Sequence, residues 1–333
     1  METRLWCEFA SPEEVCREHI LNAFRNYDVI LNYKLEYGQD NKRFYDMIRT
    51  YNENNIPVSI WATLSDEMGY WINEGNALVF DGYIRELVEK LERRALKVKG
   101  FCIDLESPLQ DLKRLNEPKS ILSPAVTFTK MLTSNLNKRR FNEARRIFTG
   151  TAAFLRGKGL ESYAACIRHC YYDLRFKSEL MQNALEIPVI DVGWDRYSFM
   201  YYSTMIRNEM KRVKRVDVDY LVYHQVSKLM ELLKDKLAIS VGVTNVGKMG
   251  NEPYYEDISE FEKDIGILKQ AGVTDFSLFS LDGITEEKKL LGFLEAMKRA
   301  KPYKPEVCRH VIRNEAISEL LFNIGKLYYG LRK

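Results

Sequence analysis

Residues 98–108 read Val98-Lys99-Gly100-Phe101-Cys102-Ile103-Asp104-Leu105-Glu106-Ser107-Pro108, a short apolar run that ends in two carboxylates one residue apart. An apolar run of this length, closed by a proline that has no N–H to give to a ladder, reads as a buried strand. Alternate side chains of a strand share a face, so Asp104 and Glu106 point one way and Leu105 the other. Two acids crowded at one strand end repel, and such a pair favours one member holding its proton near neutral pH. That suits a general acid with a supporting carboxylate. The structural alternative has Glu106 capping the next helix and Asp104 in a solvated loop.

Outward from this strand, strand-like and helix-like segments alternate to both ends of the chain. Strands are expected at Leu5–Phe9, Asp28–Tyr33, Ile56–Ala62, Val98–Pro108, Tyr163–Cys170, Tyr197–Tyr202, Leu237–Val243 and Asp275–Leu281. Between them lie helical stretches beginning at Ser11-Pro12-Glu13-Glu14 and spanning 40–52, 77–96, 124–155, 178–185, 216–234, 258–270 and 286–299. The first carries its own start signal, a serine cap, a proline in the first turn and early acids. Eight alternations with nearly continuous apolar strands predict an α/β chain, a single (β/α)8 TIM barrel over residues 1–305. Residues 306–333 read as a C-terminal helical extension packed on its outside. No Gly-, Ser- or Pro-rich linker divides the chain.

The chain has 333 residues, of which 46% are hydrophobic and 12% aromatic, enough for a large core. A net charge of +3 from 50 basic and 47 acidic residues argues against nucleic acid or an anionic membrane as partner. The basic run Lys211–Arg215 reads as the wet face of a helix. Six cysteines, at positions 7, 16, 102, 166, 170 and 308, form no CxxC pair and suit a reducing compartment. No stretch reaches the ~18 apolar residues of a membrane span, and the N-terminus has no apolar signal core. The expected location is cytoplasmic; a chain whose leader had been removed would read the same way and would be secreted. Four histidines, none in an H-x-H or H-E-x-x-H pattern, point to no metal, and no cofactor motif is present.

Active sites of barrels of this kind gather where strands end. Asp104 and Glu106 fall there, as do Glu8, Tyr33, Trp61, His169, Tyr171, Met200, Tyr202, Asn245 and Asp282. Aromatic residues recur at the same places, Trp61, Tyr70 and Trp71, Tyr171 and Tyr172, Tyr201 and Tyr202, Tyr254 and Tyr255. Sugar rings present apolar C–H faces that stack on aromatic planes and hydroxyls that need polar partners, so an acidic, aromatic mouth suits a saccharide. The alternative use of each ring is to pack a loop onto the barrel. His169, the one histidine at a strand end, reads first as a satisfied core or rim histidine.

Three segments carry a resemblance. Lys99–Glu106 resembles the strand-four motif of family-18, chitinase-type glycoside hydrolases, D-G-x-D-x-D-x-E, with Gly100, Asp104 and Glu106 matching and Lys99 and Cys102 standing at its first two aspartates. Arg196–Ser203 is similar to that family's Met-x-Tyr-Asp strand, with Met200 and Tyr202 matching and Ser203 in the place of the aspartate. Phe276–Asp282 is similar to its last strand, with Phe279 at the tryptophan that floors the sugar subsite. The resemblance implies that Glu106 protonates the glycosidic oxygen, that Asp104 orients a substrate 2-acetamido group whose carbonyl attacks, and that Tyr202 hydrogen-bonds that carbonyl. Trp61, Trp71, Tyr171, Met200, Ser203, Asn245, Phe279 and Asp282 are the expected saccharide contacts, and the partner is a small-molecule or oligosaccharide substrate.

The departures keep a two-carboxylate mechanism open, with Glu8, Glu36, Glu252 or Asp282 as second acid. Asp282-Gly283 is also an ordinary turn. Two other functions remain: a non-catalytic saccharide-binding barrel, because several acids of the related motif are missing, and a phosphate-handling lyase or isomerase that uses backbone amides of Gly242–Gly247.

Overall fold

In a computed structural model of the chain, residues 1–108, 136–209, 214–245, 250 and 252–331 are described. The expected helical residues 124–135, the basic residues 211–213, the loop residues 246 and 247 and Asn251 lie outside them.

Eight strands close into a parallel barrel in chain order: β1 (Glu2–Cys7), β2 (Val29–Glu36), β3 (Val58–Thr63), β4 (Gly100–Leu105), β5 (Glu161–Ile167), β6 (Arg196–Met200), β7 (Leu237–Gly242) and β8 (Asp275–Phe279). The TIM-barrel expectation is borne out. The helices of the outer layer are α1 (Pro12–Val15), α2 (Glu18–Asn26), α3 (Lys42–Glu53), α4 (Ala77–Arg93), α5 (Lys138–Gly157), α6 (Cys170–Phe176), α7 (Leu180–Ala184), α8 (Ser203–Glu209), α9 (Arg215–Leu233), α10 (Ile258–Gln270) and α11 (Glu287–Arg299). Helix α12 (Arg309–Leu331) follows on the outside, where Tyr172 and Phe176 stack on its Phe322 at 5.7 and 5.4 Å. No helix among the described residues is long and apolar enough to cross a membrane.

The start of α1 matches its sequence signal. Ser11 Oγ accepts the Glu14 N–H, and the Glu14 carboxylate accepts the Ser11 N–H, a reciprocal capping box. Other boundaries shift. The apolar run that suggested a strand to Cys170 leaves the ladder at Ile167, and Cys170-Tyr171-Tyr172 turn into α6. Short helices with aromatic residues carry too few turns for their period to show in sequence.

Strand alternation sends one residue in two to the barrel axis, and these stack in layers. At the N-terminal end Arg4, fully buried, ion-pairs with Glu2, Glu161 and Asp275. Above it lies a hydroxyl layer: Tyr163 donates to Ser198 and approaches Ser277 at 3.2 Å, Ser240 lies 2.5 Å from Ser277, and the Trp6 indole donates to Ser240. With these donors and acceptors matched, the layer forms a rigid floor beneath the mouth. Gly100 is required where β4 meets β5, since a Cβ there would sit 2.0 Å from the Glu161 carbonyl oxygen.

Candidate active site

Above the hydroxyl layer, the axis-facing residues at the strand ends are acidic and aromatic. Trp61 from β3 meets Trp6 edge-on at 5.1 Å and Phe279 of β8 edge-on at 6.3 Å, and Tyr202 stacks on Phe279 at 6.0 Å. Trp61 and Phe279 thus form one wall and floor, with Phe279 half-buried. The Trp61 indole N–H is buried without a hydrogen-bond partner among the described residues. Tyr202, just beyond β6, hydrogen-bonds Ser240, and its phenol is raised above the usual range by burial and by the Asp104 and Glu106 carboxylates.

Asp104 ends the inward row of β4. Burial, and then the neighbouring Glu8 carboxylate, push its carboxyl up to about 8, while a hydrogen bond from the Trp71 indole pulls it down. Glu106, two residues on and half-buried, is raised well above the carboxylate range by burial first and then by Asp104, Glu8 and Glu252. Glu8 accepts the Tyr70 phenol at 2.6 Å. Four acids from the ends of β1 and β4 and the loop after β7 therefore act on one another. Ile72 joins the mouth by pairing with β4, its N–H donated to the Asp104 carbonyl at 3.0 Å, which presents Tyr70 and Trp71 to the acids.

Beside Glu8 opens a cleft of about 320 Å³, lined also by Phe9, Tyr33, Lys34, Glu36, Gln39 and Asn41. The Lys34 ammonium lies 5.3 Å from the Phe9 ring and 5.6 Å from that of Tyr70. Lys34 carried no sequence signal: one lysine in an apolar strand is distinguishable as inward-facing only once the barrel closes.

Other expected contacts go elsewhere. Asp282 accepts the backbone N–H groups of Glu8, Phe9 and Ala10 at 2.8–2.9 Å, tying the end of β1 to the turn after β8. That gives Asp282 a structural role at this corner, beside its reading as a saccharide contact or second acid. Asp282→Ala would strand these donors and is expected to cost about 1–3 kcal/mol, read as a lower urea midpoint. Tyr171 is fully buried in α6 against Tyr172, with Arg175 donating to its phenol, so it offers no face to a ligand. Ser203 opens α8 and turns away from the axis to donate to Asp264 at 2.5 Å, in a cluster with Tyr255 and Arg215. The aspartate position of the related motif is thus spent on packing the outer helices. Met200 is half-buried at the end of β6, and Asn245 is exposed beyond β7. His169 precedes α6 rather than ending a strand, and burial lowers its imidazole to about 3, which keeps it neutral.

Among the backbone amides after β7, Val243 N–H goes to Thr204 Oγ1 and Thr244 N–H to the Phe279 carbonyl. Two of the donors expected to cradle a phosphate are therefore already engaged.

The chain matches no protein-family model and no curated protein. Solved structures share its fold at low identity. The C-terminal domain of a putative chitinase from Desulfitobacterium hafniense DCB-2 is 10% identical with a TM-score of 0.55, covering 90% of this chain and 99% of that one. The PgaB (BpsB) glycoside hydrolase domain from Bordetella bronchiseptica is 9% identical with a TM-score of 0.53 over 89% and 99%. A D-allulose 3-epimerase from Methylomonas sp. is 10% identical with a TM-score of 0.52 over 90% and 98%. These likenesses show the fold, an eight-stranded α/β barrel that the chitinase domain, the glycoside hydrolase domain and the sugar epimerase all share.

Proposed function

We propose that the protein is a glycoside hydrolase acting on a saccharide, with Glu106 as general acid and base and Asp104 as its supporting carboxylate. The observation that carries this reading is the cluster of Asp104, Glu106 and Glu8 at the barrel mouth, where burial and mutual repulsion keep a proton at neutral pH. The Trp71 hydrogen bond favours the charged form of Asp104. The pair loses its first proton from Asp104, at about 8, and from there upward the charge rests on Asp104 and the proton on Glu106, the more accessible of the two. A protonated acid at an open rim, backed by a fixed anion, is what departure of a sugar alkoxide needs.

Stacking on Trp61 and Phe279 suits a pyranose face, and the Trp61 indole, without a hydrogen-bond partner among the described residues, supplies a donor on the wall next to Phe279, which itself has none. The Asp104 carboxylate acts on the Tyr202 phenol, and the family resemblance assigns both residues to a substrate 2-acetamido group, which supports substrate-assisted attack. Glu8, held by Tyr70 and acting on both Asp104 and Glu106, is the rival second acid.

The test is a panel of aryl glycosides and oligosaccharides offered with either a 2-acetamido or a 2-hydroxyl group. Turnover confined to the acetamido members supports assistance by substrate, and equal turnover of both supports Glu8. Saccharide binding with no turnover of any member would leave a binding-only barrel, the reading favoured by the loss of Ser203 to the outer network. Tyr202→Phe removes one hydrogen bond to the attacking carbonyl and is expected to lower kcat about 10–100-fold with little change in KM.

A further inference from the structure

Away from the barrel mouth, three potential metal ligands converge where the C-terminal helix meets the outer ring. Cys308 immediately precedes α12, His310 lies in its first turn, and Asp217 lies in the first turn of α9. Cys308 Sγ is 3.1 Å from Asp217 Oδ1 and 3.7 Å from His310 Nε2, and His310 Nε2 is 3.2 Å from Asp217 Oδ2. Asp217 is buried, Cys308 half-buried and His310 exposed, so the group is anchored on one side and open on the other.

We propose that Asp217, Cys308 and His310 form a site for a divalent cation of the zinc class, clasping the C-terminal helix to the barrel. Ligands at Zn–S of about 2.3 Å and Zn–N and Zn–O of about 2.0–2.1 Å in a tetrahedron stand roughly 3.3–3.6 Å apart, close to the separations here. A thiolate, an imidazole and a carboxylate together select zinc or cobalt over magnesium or calcium, which take oxygen ligands. The thiolate and carboxylate cancel the charge of the cation, which offsets the unfavourable positive end of α9. Asp217 is preorganised: its Oδ2 accepts the Lys214 N–H at 2.9 Å. The fourth position faces solvent and would take water. Binding replaces the thiol proton, Cys–SH + M²⁺ giving Cys–S–M⁺ and H⁺, with His310 ligating as the neutral ring.

Spectroscopic titration of the tag-free full-length chain with cobalt(II) tests this. One equivalent is expected to give the visible bands of tetrahedral cobalt and a near-ultraviolet thiolate charge-transfer band, both bleached by zinc(II). Calorimetry with zinc in two buffers of different ionisation heat should show release of about one proton per metal at neutral pH. Cys308→Ser should abolish the charge-transfer band. His310→Ala, at an exposed side chain that folding does not need, should weaken zinc binding by more than the about 10–100-fold that loss of an outer-sphere partner costs. Absence of the bands in the parent chain, or bands and affinity that survive both substitutions, would overturn the proposal and leave a hydrogen-bonded Cys-Asp-His cluster.

Discussion

Glu106→Gln is expected to lower turnover of an oligosaccharide by about 10²–10⁴-fold while saccharide affinity stays nearly unchanged. Glutamine keeps the size and the hydrogen-bonding of the protonated acid and removes only the transferable proton. The loss should be smaller on a glycoside whose aryl leaving group departs without protonation, a contrast that a general collapse of the mouth would not produce. In the parent, burial and the facing carboxylates raise the Glu106 carboxyl, so the acid limb of catalysis extends towards neutral pH and activity falls as pH rises through that raised value. The limb should vanish in the variant. Unchanged turnover of a sugar leaving group by Glu106→Gln would end the assignment.

Asp104→Asn is expected to stabilise the fold even as it impairs activity. In the unfolded chain the aspartate ionises at its ordinary value of 3.8, whereas in the native mouth it ionises at about 8. Between those values the native state binds the extra proton, so the group's contribution to stability is fully present below about pH 4 and is lost as pH rises to 8. Asparagine retains an acceptor for the Trp71 indole and does not ionise. Its advantage should therefore be small near pH 4, grow across the window and level off above pH 8, reaching about 2–5 kcal/mol. Urea unfolding of both chains from pH 4 to 9 measures this. A variant less stable at pH 8, or a difference flat with pH, would show that Asp104 is not held against ionisation. A stability cost concentrated in a supporting carboxylate is the form that conflict between stability and activity takes at a working site.

The same two residues show what was legible in sequence. Period-two alternation placed Asp104 and Glu106 on one face, and apolar strands alternating with amphipathic helices implied a parallel sheet covered by helices, which the count of eight β/α units assigns to a closed barrel. Trp61, Trp71, Tyr202 and Phe279 stand at strand ends or just beyond, which such a barrel brings to one rim. Where local pattern misled, it did so beyond the strand ends. Tyr171 continues an apolar run that has already turned into helix, and Ser203 opens a helix that faces outward.

The sequence by itself determined the architecture and which acid pair faces the axis, since both follow from backbone periodicity and burial within a few residues. Only the tertiary structure decided the partners: Tyr70 on Glu8, Trp71 on Asp104, Asp282 consumed by the backbone of β1, and Asp217 met by Cys308 and His310. The reason is physical. A side chain's direction is set by its own φ and ψ, whereas its charge state and its partners depend on groups tens to hundreds of residues away, brought within a few ångströms by ring closure.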